Sequence, residues 1–335
     1  MLRRYDYGFL AKDRHAQACA DMRGPIREAL AGLGDFSSRN DAVMAVVKNQ
    51  LLYEAANACC GIDGKAADTS RLAELATGRG APAAGAERDI LGCRDVLQDI
   101  FAKPEAMELH SSTILRLHAR IAREADPQGA GECKAKPCML TDVWPGVRIF
   151  ASHKLCMPRE ALAGLQIWLI AYIKASANPA IDRLLLIPCA MLDFIDMSPF
   201  AKGSVRMSLL LGALLFCLSG IRPEVVCVLL QILRDMKVDM GIAVAEFCRA
   251  EREKILNVWP FVRTVLSALQ SSLGGLAALS KRWAAGLDQP CRISRFPLRA
   301  RRPPTTGSRT TRRERRAALS PLTCWMPALG WKGQP

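Results

Sequence analysis

The composition of this 335-residue chain favours helix packing over sheet. Half of the residues are hydrophobic but only 6% are aromatic, which suits one large or two ordinary helical domains. The longest uncharged apolar run, 207–221, is too short to cross a bilayer, so no membrane partner is expected. The net charge of +14 is uneven, because residues 291–335 contain ten Arg, one Lys and a single acid.

The N-terminal part predicts a series of short helices. Residues 1–7 lack the apolar core of a signal peptide, and thirteen scattered cysteines favour reduced, buried thiols, so a cytoplasmic location is predicted. Residues 1–40 are interpreted as a helical extension. Asp41 fits the N-cap of a helix that ends near Cys60, because its apolar positions recur every three or four residues. Further helices are predicted at 70–77, 87–103 and 104–125, the last beginning at a proline.

Residues 126–157 have a different character, with dense Gly, Pro and Cys. The stretch Val143–Phe150 fits a short β-hairpin. Three thiolates and one imidazole could hold a tetrahedral zinc ion, and the candidates are Cys133, Cys138, His153 and Cys156. Their spacing matches no standard zinc motif, so unrelated residues in a cysteine-rich chain are the preferred interpretation and no metal site is assigned.

The second half predicts longer and more apolar helices. One runs from Pro158 to about residue 177, and the next carries Pro188, which is expected to kink or restart it. The segment 207–218 is apolar around its whole circumference, which predicts the central helix of a bundle. Three more helices are predicted at 224–237, 241–258 and 260–287.

The segment 198–206, Ser-Pro-Phe-Ala-Lys-Gly-Ser-Val-Arg, lies between two apolar helical runs. A tight loop that leads into a helix can hold phosphate, because a helix start presents free N–H groups and partial positive charge. The segment resembles the signature loop of the Fic (Fido) family, His-Pro-Phe-x-Asp/Glu-Gly-Asn-Gly-Arg. The residues that match are Pro199, Phe200, Gly203 and Arg206. The family's His, acid, Asn and second Gly are replaced by Ser198, Lys202, Ser204 and Val205.

A second resemblance lies in the segment 41–64, around the predicted end of its helix. Many Fic proteins carry an inhibitory Ser/Thr-x-x-x-Glu-Gly segment there, and here the three positions hold Cys59, Asp63 and Gly64. An ordinary helix end would also explain the glycine, but the later loop favours common descent. The resemblance implies that Asp63 pairs with Arg206. Because Asp is one methylene shorter than Glu, the pair is expected to be long or bridged by water.

The resemblance implies an all-α, Fic-like helical bundle over residues 41–260, with a C-terminal helix at 261–290. It implies a β-hairpin flap at 143–151 that binds a target protein by strand addition. The family's activity is protein adenylyltransfer, a nucleotidyltransferase reaction that moves AMP from ATP to a protein hydroxyl. The family's loop His is the general base, its acid holds Mg²⁺, and its glycine-rich backbone and Arg bind phosphates.

The replaced positions predict impaired catalysis. Ser198 has no accessible conjugate base near neutral pH. Lys202 cannot bind Mg²⁺ but could neutralise phosphate, and Val205 crowds the cradle. Weak binding of ATP or ADP to residues 202–206, without a magnesium ligand, is therefore expected. The alternative is a pseudoenzyme that holds a protein partner. All four histidines are distant from the loop in sequence, and His118, in a segment similar to the family's Leu-His, is interpreted as structural.

The tail, 291–335, is rich in Arg, Pro and Thr and shows no periodicity. Such a segment buries too little apolar surface to order itself, so disorder is predicted. Nucleic-acid binding through its charge is a functional alternative, although no aromatic residues alternate with the arginines to stack on bases. Translation in another reading frame would also explain the abrupt change in composition.

Overall fold

The computed structural model describes a predominantly helical chain. The described residues are 5–12, 17–33, 41–83, 85–124, 127–139, 155–156 and 161–284. The chain divides into two compact units, Met1–Gly274 and Gly275–Pro335. Of the second unit, the described residues only continue the last helix to Ala284.

Eleven α-helices are found among the described residues. The first five are α1 (Ala20–Gly32), α2 (Asp41–Gly61), α3 (Thr69–Thr77), α4 (Ala86–Ala102) and α5 (Ser111–Ala122). The others are α6 (Ala161–Ser176), α7 (Arg183–Met197), α8 (Ser204–Leu218), α9 (Pro223–Asp235), α10 (Lys237–Arg252) and α11 (Trp259–Ala284). Short 3-10 turns lie at Gly8–Ala11 and Pro104–Ala106. The all-α prediction is confirmed.

The sheet found in the described part of the chain is a ladder of two short antiparallel strands. Strand β1 (Cys138–Met139) pairs with β2 (Leu155–Cys156), and Cys138 lies opposite Cys156 in the register. The hairpin predicted at 143–150 and the flap at 143–151 lie outside the described residues.

The prediction that a helix begins at Pro104 is wrong, and so is the alternative that Pro188 restarts its helix. Pro104 begins only a 3-10 turn, and α5 starts at Ser111, where the Nδ1 atom of His110 accepts a hydrogen bond of 3.2 Å from the Ser112 N–H. The imidazole satisfies an N–H that a helix start leaves without a partner, so the helix begins there. Helix α7 also runs through Pro188 without restarting, within a segment buried from Leu184 to Ile195.

Helix α8 occupies the centre of the first unit, as its apolar circumference predicted. Every residue from Ser204 to Phe216 is buried, and the helix packs against α7, α9, α4 and α2. Gly212 permits the contact with α7, since a β-carbon there would lie 2.7 Å from the sulfur of Met191. The start of α8 is therefore held inside the helical core.

Helices α2, α4 and α5 come together beside the start of α8. The Sγ atoms of Cys60 in α2 and Cys93 in α4 are 3.6 Å apart. A β-carbon on Gly92 would lie 2.4 Å from the carbonyl oxygen of Arg120 in α5, so only glycine allows these backbones to approach so closely. This packing holds α2, α4 and α5 close to one another.

Candidate functional site

The loop at 198–203 connects α7 to α8 through two residues in the left-handed region. Ser198 ends α7 with φ 43° and ψ 67°, and Gly203 precedes α8 with φ 77° and ψ 9°. Glycine adopts this conformation without steric cost, which explains its presence before the helix. The predicted helix N-terminus at Ser204 is confirmed, and the first N–H groups of such a helix have no intrahelical acceptor.

Ser198 occupies the position of the family's catalytic His and is fully buried. Its hydroxyl donates a hydrogen bond of 2.5 Å to the carbonyl oxygen of Ile195, one turn back in α7. A serine held in this way points into its own helix rather than towards a substrate. The side chain therefore offers neither a base nor an exposed nucleophile.

Ser204 closes the loop with two hydrogen bonds. Its hydroxyl accepts from the N–H of Phe200 and donates to the carbonyl oxygen of Phe200, each at 3.0 Å, and the serine is fully buried. The position corresponds to the family's Asn. In this chain its side chain stabilises the loop.

The change Ser204→Ala should reduce the free energy of unfolding by about 1–3 kcal/mol, because it leaves the buried N–H of Phe200 without an acceptor. Urea denaturation measures the loss. Ser208→Ala is the matched control, since that buried hydroxyl only donates, to the Met191 carbonyl oxygen, and its removal leaves no orphaned N–H. A loss at Ser204 no larger than the loss at Ser208 would contradict this role.

His118 lies directly against the loop although 84 residues separate it from Lys202 in sequence, so the expectation that no histidine sits at the loop is wrong. Its Nδ1 accepts a 3.1 Å hydrogen bond from the Gly131 N–H, so Nε2 carries the proton and donates to the Lys202 carbonyl oxygen at 2.9 Å. The ring stacks on Phe200 with centroids 3.6 Å apart and planes within 3°. Both ring nitrogens are used within the fold, which agrees with a structural histidine.

Lys134 holds the end of α7 from the other side, and sequence analysis missed it. Only 4% of the residue is exposed, and its ammonium donates to the carbonyl oxygens of Met197 and Ser198 at 3.2 and 2.5 Å. Its backbone N–H donates to the Pro199 carbonyl oxygen at 2.9 Å. A cation at a helix C-terminus complements the helix dipole and satisfies the last carbonyl groups. The loop is thus fixed by the protein itself.

Arg206 is buried at the start of α8 and has acidic partners on two other elements. Its Nε donates to Asp63 Oδ2 at 2.9 Å, and its Nη1 donates to the Ile121 carbonyl oxygen at 2.8 Å. Nη1 also lies 3.3 Å from Asp89 Oδ2. The predicted contact between Asp63 and Arg206 is confirmed. The expectation that this pair would be long or water-bridged is wrong, because α2 and α8 pack closely enough for a direct bond.

Two aspartates share the charge of Arg206 in this buried position. The side chains of Asp63 and Asp89 are 8% and 1% exposed, and each has an Oδ1 atom without a hydrogen-bond partner among the described residues. Lys65 adds a second cation, with Nζ 3.3 Å from Asp89 Oδ2. Burial raises the pKa of Asp63, and the charge and hydrogen bond of Arg206 oppose that increase.

The remaining loop positions differ from those of the family in charge and in size. Lys202, at the position of the family's acid, is exposed and supplies an ammonium group where Mg²⁺ requires oxygen ligands. Val205 is fully buried and carries a side chain where the family has none. The Nε and Nη1 atoms of Arg206 already donate to groups of the protein. The described residues hold no group of three or more His, Cys, Asp or Glu side chains arranged for a metal ion.

The cysteines with described side chains are free thiols, as the sequence suggested. Cys59, at the family's Ser/Thr position, is fully buried, and burial raises its pKa well above the ordinary value. Of the zinc candidates, Cys133 is half-buried, Cys138 and Cys156 are paired in the strand ladder, and His153 lies outside the described residues. The zinc prediction stays untested.

A separate cleft of about 350 Å³ opens between α2, α4 and α9. Its lining includes Lys48, Leu51, Phe101 and Glu224 and does not include the loop.

No described helix is long and apolar enough to span a membrane. The tail predicted at 291–335 lies outside the described residues.

Comparisons with known proteins identify the fold. No family model and no curated protein sequence matches the chain. A Fic family protein from Desulfovibrio desulfuricans G20 has a TM-score of 0.62 at 15% identity, covering 78% of this chain and 74% of that one. A Fic domain containing signaling protein from Bacteroides thetaiotaomicron VPI-5482 has a TM-score of 0.55 at 18% identity, covering 81% and 98%.

Fic-1 from C. elegans also has a similar structure, with a TM-score of 0.55 at 16% identity over 79% of this chain and 74% of that one. At these identities the likeness concerns the fold. The chain has the Fic fold, and the prediction of an all-α, Fic-like bundle is confirmed.

Proposed function

We propose that this chain is a divergent Fic-family protein in which adenylyl transfer from ATP to protein hydroxyls is impaired. The observation that carries the proposal is the state of Arg206. The guanidinium that would bind phosphate is 2% exposed and is bonded to Asp63 and to the Ile121 carbonyl oxygen. A phosphate would have to displace buried, charge-assisted contacts before it could use this arginine.

The missing chemistry supports the same proposal. The Ser198 hydroxyl donates a hydrogen bond to the Ile195 carbonyl oxygen, and a hydroxyl in this position cannot remove a proton from a target side chain near neutral pH. Lys202 in place of an acid leaves the loop without a magnesium ligand. Asp63, with Cys59 and Gly64, then acts as an inhibitory segment that holds Arg206 in a protein that also lacks the base.

The loop keeps the means to bind an anion weakly. The N-terminus of α8 at Ser204 supplies partial positive charge, and the exposed Lys202 stands one residue before the capping glycine. Neither group needs a metal ion. We therefore propose weak, magnesium-independent binding of ATP or ADP at residues 202–206.

Partner binding without catalysis is the second candidate function. Ser204, His118 and Lys134 fix the loop through contacts within the protein, so it keeps its shape without a nucleotide. Such a loop is suited to a pseudoenzyme that acts as a scaffold. The proposed contact with a protein partner is the flap at 143–151, and nucleic-acid binding is proposed only through 291–335. The free thiols support a cytoplasmic location.

Calorimetric titration with ATP, in EDTA and then in Mg²⁺, tests the proposed function. We expect weak binding in EDTA that does not increase with Mg²⁺ and that Lys202→Ala weakens further. Lys254→Ala, at a lysine outside the loop, is the control and should leave the affinity unchanged. Binding that requires Mg²⁺ would contradict the proposal, because it would mean that a metal ligand exists.

Comparing DNA binding at several salt concentrations with and without residues 291–335 tests the proposed role of the tail.

A further inference from the structure

Asp89 is buried in a way that its position in the sequence does not explain. It lies in the first turn of α4, outside both segments that resemble the Fic family, where acids commonly face solvent and favour the helix dipole. Only 1% of the residue is exposed, and its Oδ2 lies 3.3 Å from both Arg206 Nη1 and Lys65 Nζ. Acids are almost never fully buried unless they are paired.

The four charged groups form a chain of three ion pairs, and both ends of the chain lie in the same turn. Asp63 and Lys65 belong to one turn after α2, and they contact Arg206 and Asp89 respectively. Arg206 in turn contacts Asp89, which joins α8 to α4. The turn is therefore connected to α8 directly through Asp63 and indirectly through Lys65 and Asp89.

We propose that Asp89 is a second carboxylate that holds Arg206, independently of Asp63, and that a phosphate can reach Arg206 only when both carboxylates have released it. The proposal rests on the proposed function, since it assumes that anions bind at the start of α8. Asp89 acts as a positioning residue, because it reaches the anion site only through the arginine.

The unused oxygens explain why one carboxylate is enough to keep Arg206 paired. The Oδ1 atoms of Asp63 and Asp89 have no hydrogen-bond partner among the described residues. If one carboxylate is removed, the guanidinium can turn towards the unused oxygen of the other and remain paired. Leaving the pair altogether would strand buried charges, which is costly. Each single change should therefore have a small effect, and the double change a large one.

The test uses the full-length chain with Asp63→Asn, Asp89→Asn and the double variant. Asp95→Asn with Asp99→Asn is the matched control, since it removes the same two negative charges from the chain at two exposed acids. One measurement is the affinity for ATP in EDTA. The other is modification of Arg206 by phenylglyoxal, followed by peptide mass spectrometry, which reports exposure of the guanidinium without any nucleotide.

We expect the affinity for ATP to be roughly tenfold or more above that of the wild type in the double variant alone. One charge-assisted hydrogen bond from Arg206 to phosphate supplies a gain of this size. Arg206 should be modified in the double variant and protected in the wild type, in both single variants and in the control. Combining Asp63→Asn with Asp89→Glu, instead of with Asp89→Asn, should restore the protection of Arg206 that the double variant loses. A merely structural role for Asp89 would create no new ATP affinity and no rescue.

Modification or full ATP affinity in Asp63→Asn alone would overturn the proposal and leave the proposed function intact. Modification of Arg206 in the double variant without any ATP binding would support the two-carboxylate arrangement and refute the proposed anion site instead. If the double variant does not fold, the single variants decide, because both must keep Arg206 protected.

Discussion

Wild-type protein incubated with radiolabelled ATP, Mg²⁺ and a cell lysate should transfer no measurable AMP to any protein, itself included. The loss of a general base at Ser198 alone costs about a hundred- to ten-thousand-fold in rate. The replacement of the family's acid by Lys202 should also remove stabilisation of the transition-state charge by Mg²⁺. Label on a target at a rate comparable to that of an intact Fic enzyme would contradict the prediction.

Partial activity should return when the missing groups are restored together. Ser198→His and Lys202→Asp supply a base and an acid, and histidine tolerates the left-handed backbone of Ser198 better than most residues. Val205→Gly is needed to reopen the phosphate cradle. We expect detectable autolabelling in this triple variant and none in the control that keeps Ser198. Adding Asp63→Asn and Asp89→Asn should increase the label, because Arg206 is then available.

The helices of this fold follow from patterns that the sequence displays locally. The period of apolar residues placed α2 within one residue of its observed end, and the apolar circumference of 207–218 identified α8 as the buried centre. Pro104 shows where local rules compete. A proline fits the first turn of a helix, but the imidazole of His110 caps a better start six residues later.

The surroundings of the loop could not be predicted in the same way. Lys134 and His118 reach the loop from 64 and 84 residues away. The Leu-His resemblance identified His118 only as a structural histidine, and nothing near Lys134 in sequence distinguishes it from a solvated lysine. Asp89 resembled an ordinary acid at a helix start. Only the contact of Asp63 with Arg206 was expected, because the family resemblance linked two distant segments. Tertiary packing supplied the other contacts.

Arg206→Met should be the most destabilising single change in the site, with a loss of about 3–5 kcal/mol in the free energy of unfolding. The reason is that Asp63 and Asp89 would remain buried with one cation fewer between them. Urea denaturation at neutral pH measures the loss. Arg263→Met is the control, since that arginine is 53% exposed and its pair with Asp21 should contribute no more than about 1 kcal/mol.

The pH dependence of Arg206→Met separates this electrostatic origin from simple loss of packing. Without the guanidinium, burial should raise the pKa of Asp63 further above its unfolded value, because the charge and hydrogen bond of Arg206 no longer oppose that increase. An acid with a raised folded pKa is penalised when ionised, so stability increases as the pH falls and the carboxylate of Asp63 takes up a proton. The deficit relative to wild type should therefore shrink between about pH 7 and pH 5. A deficit that stays constant over that range, or that persists in the Asp63→Asn, Asp89→Asn background, would mean that Arg206 stabilises the fold by packing alone.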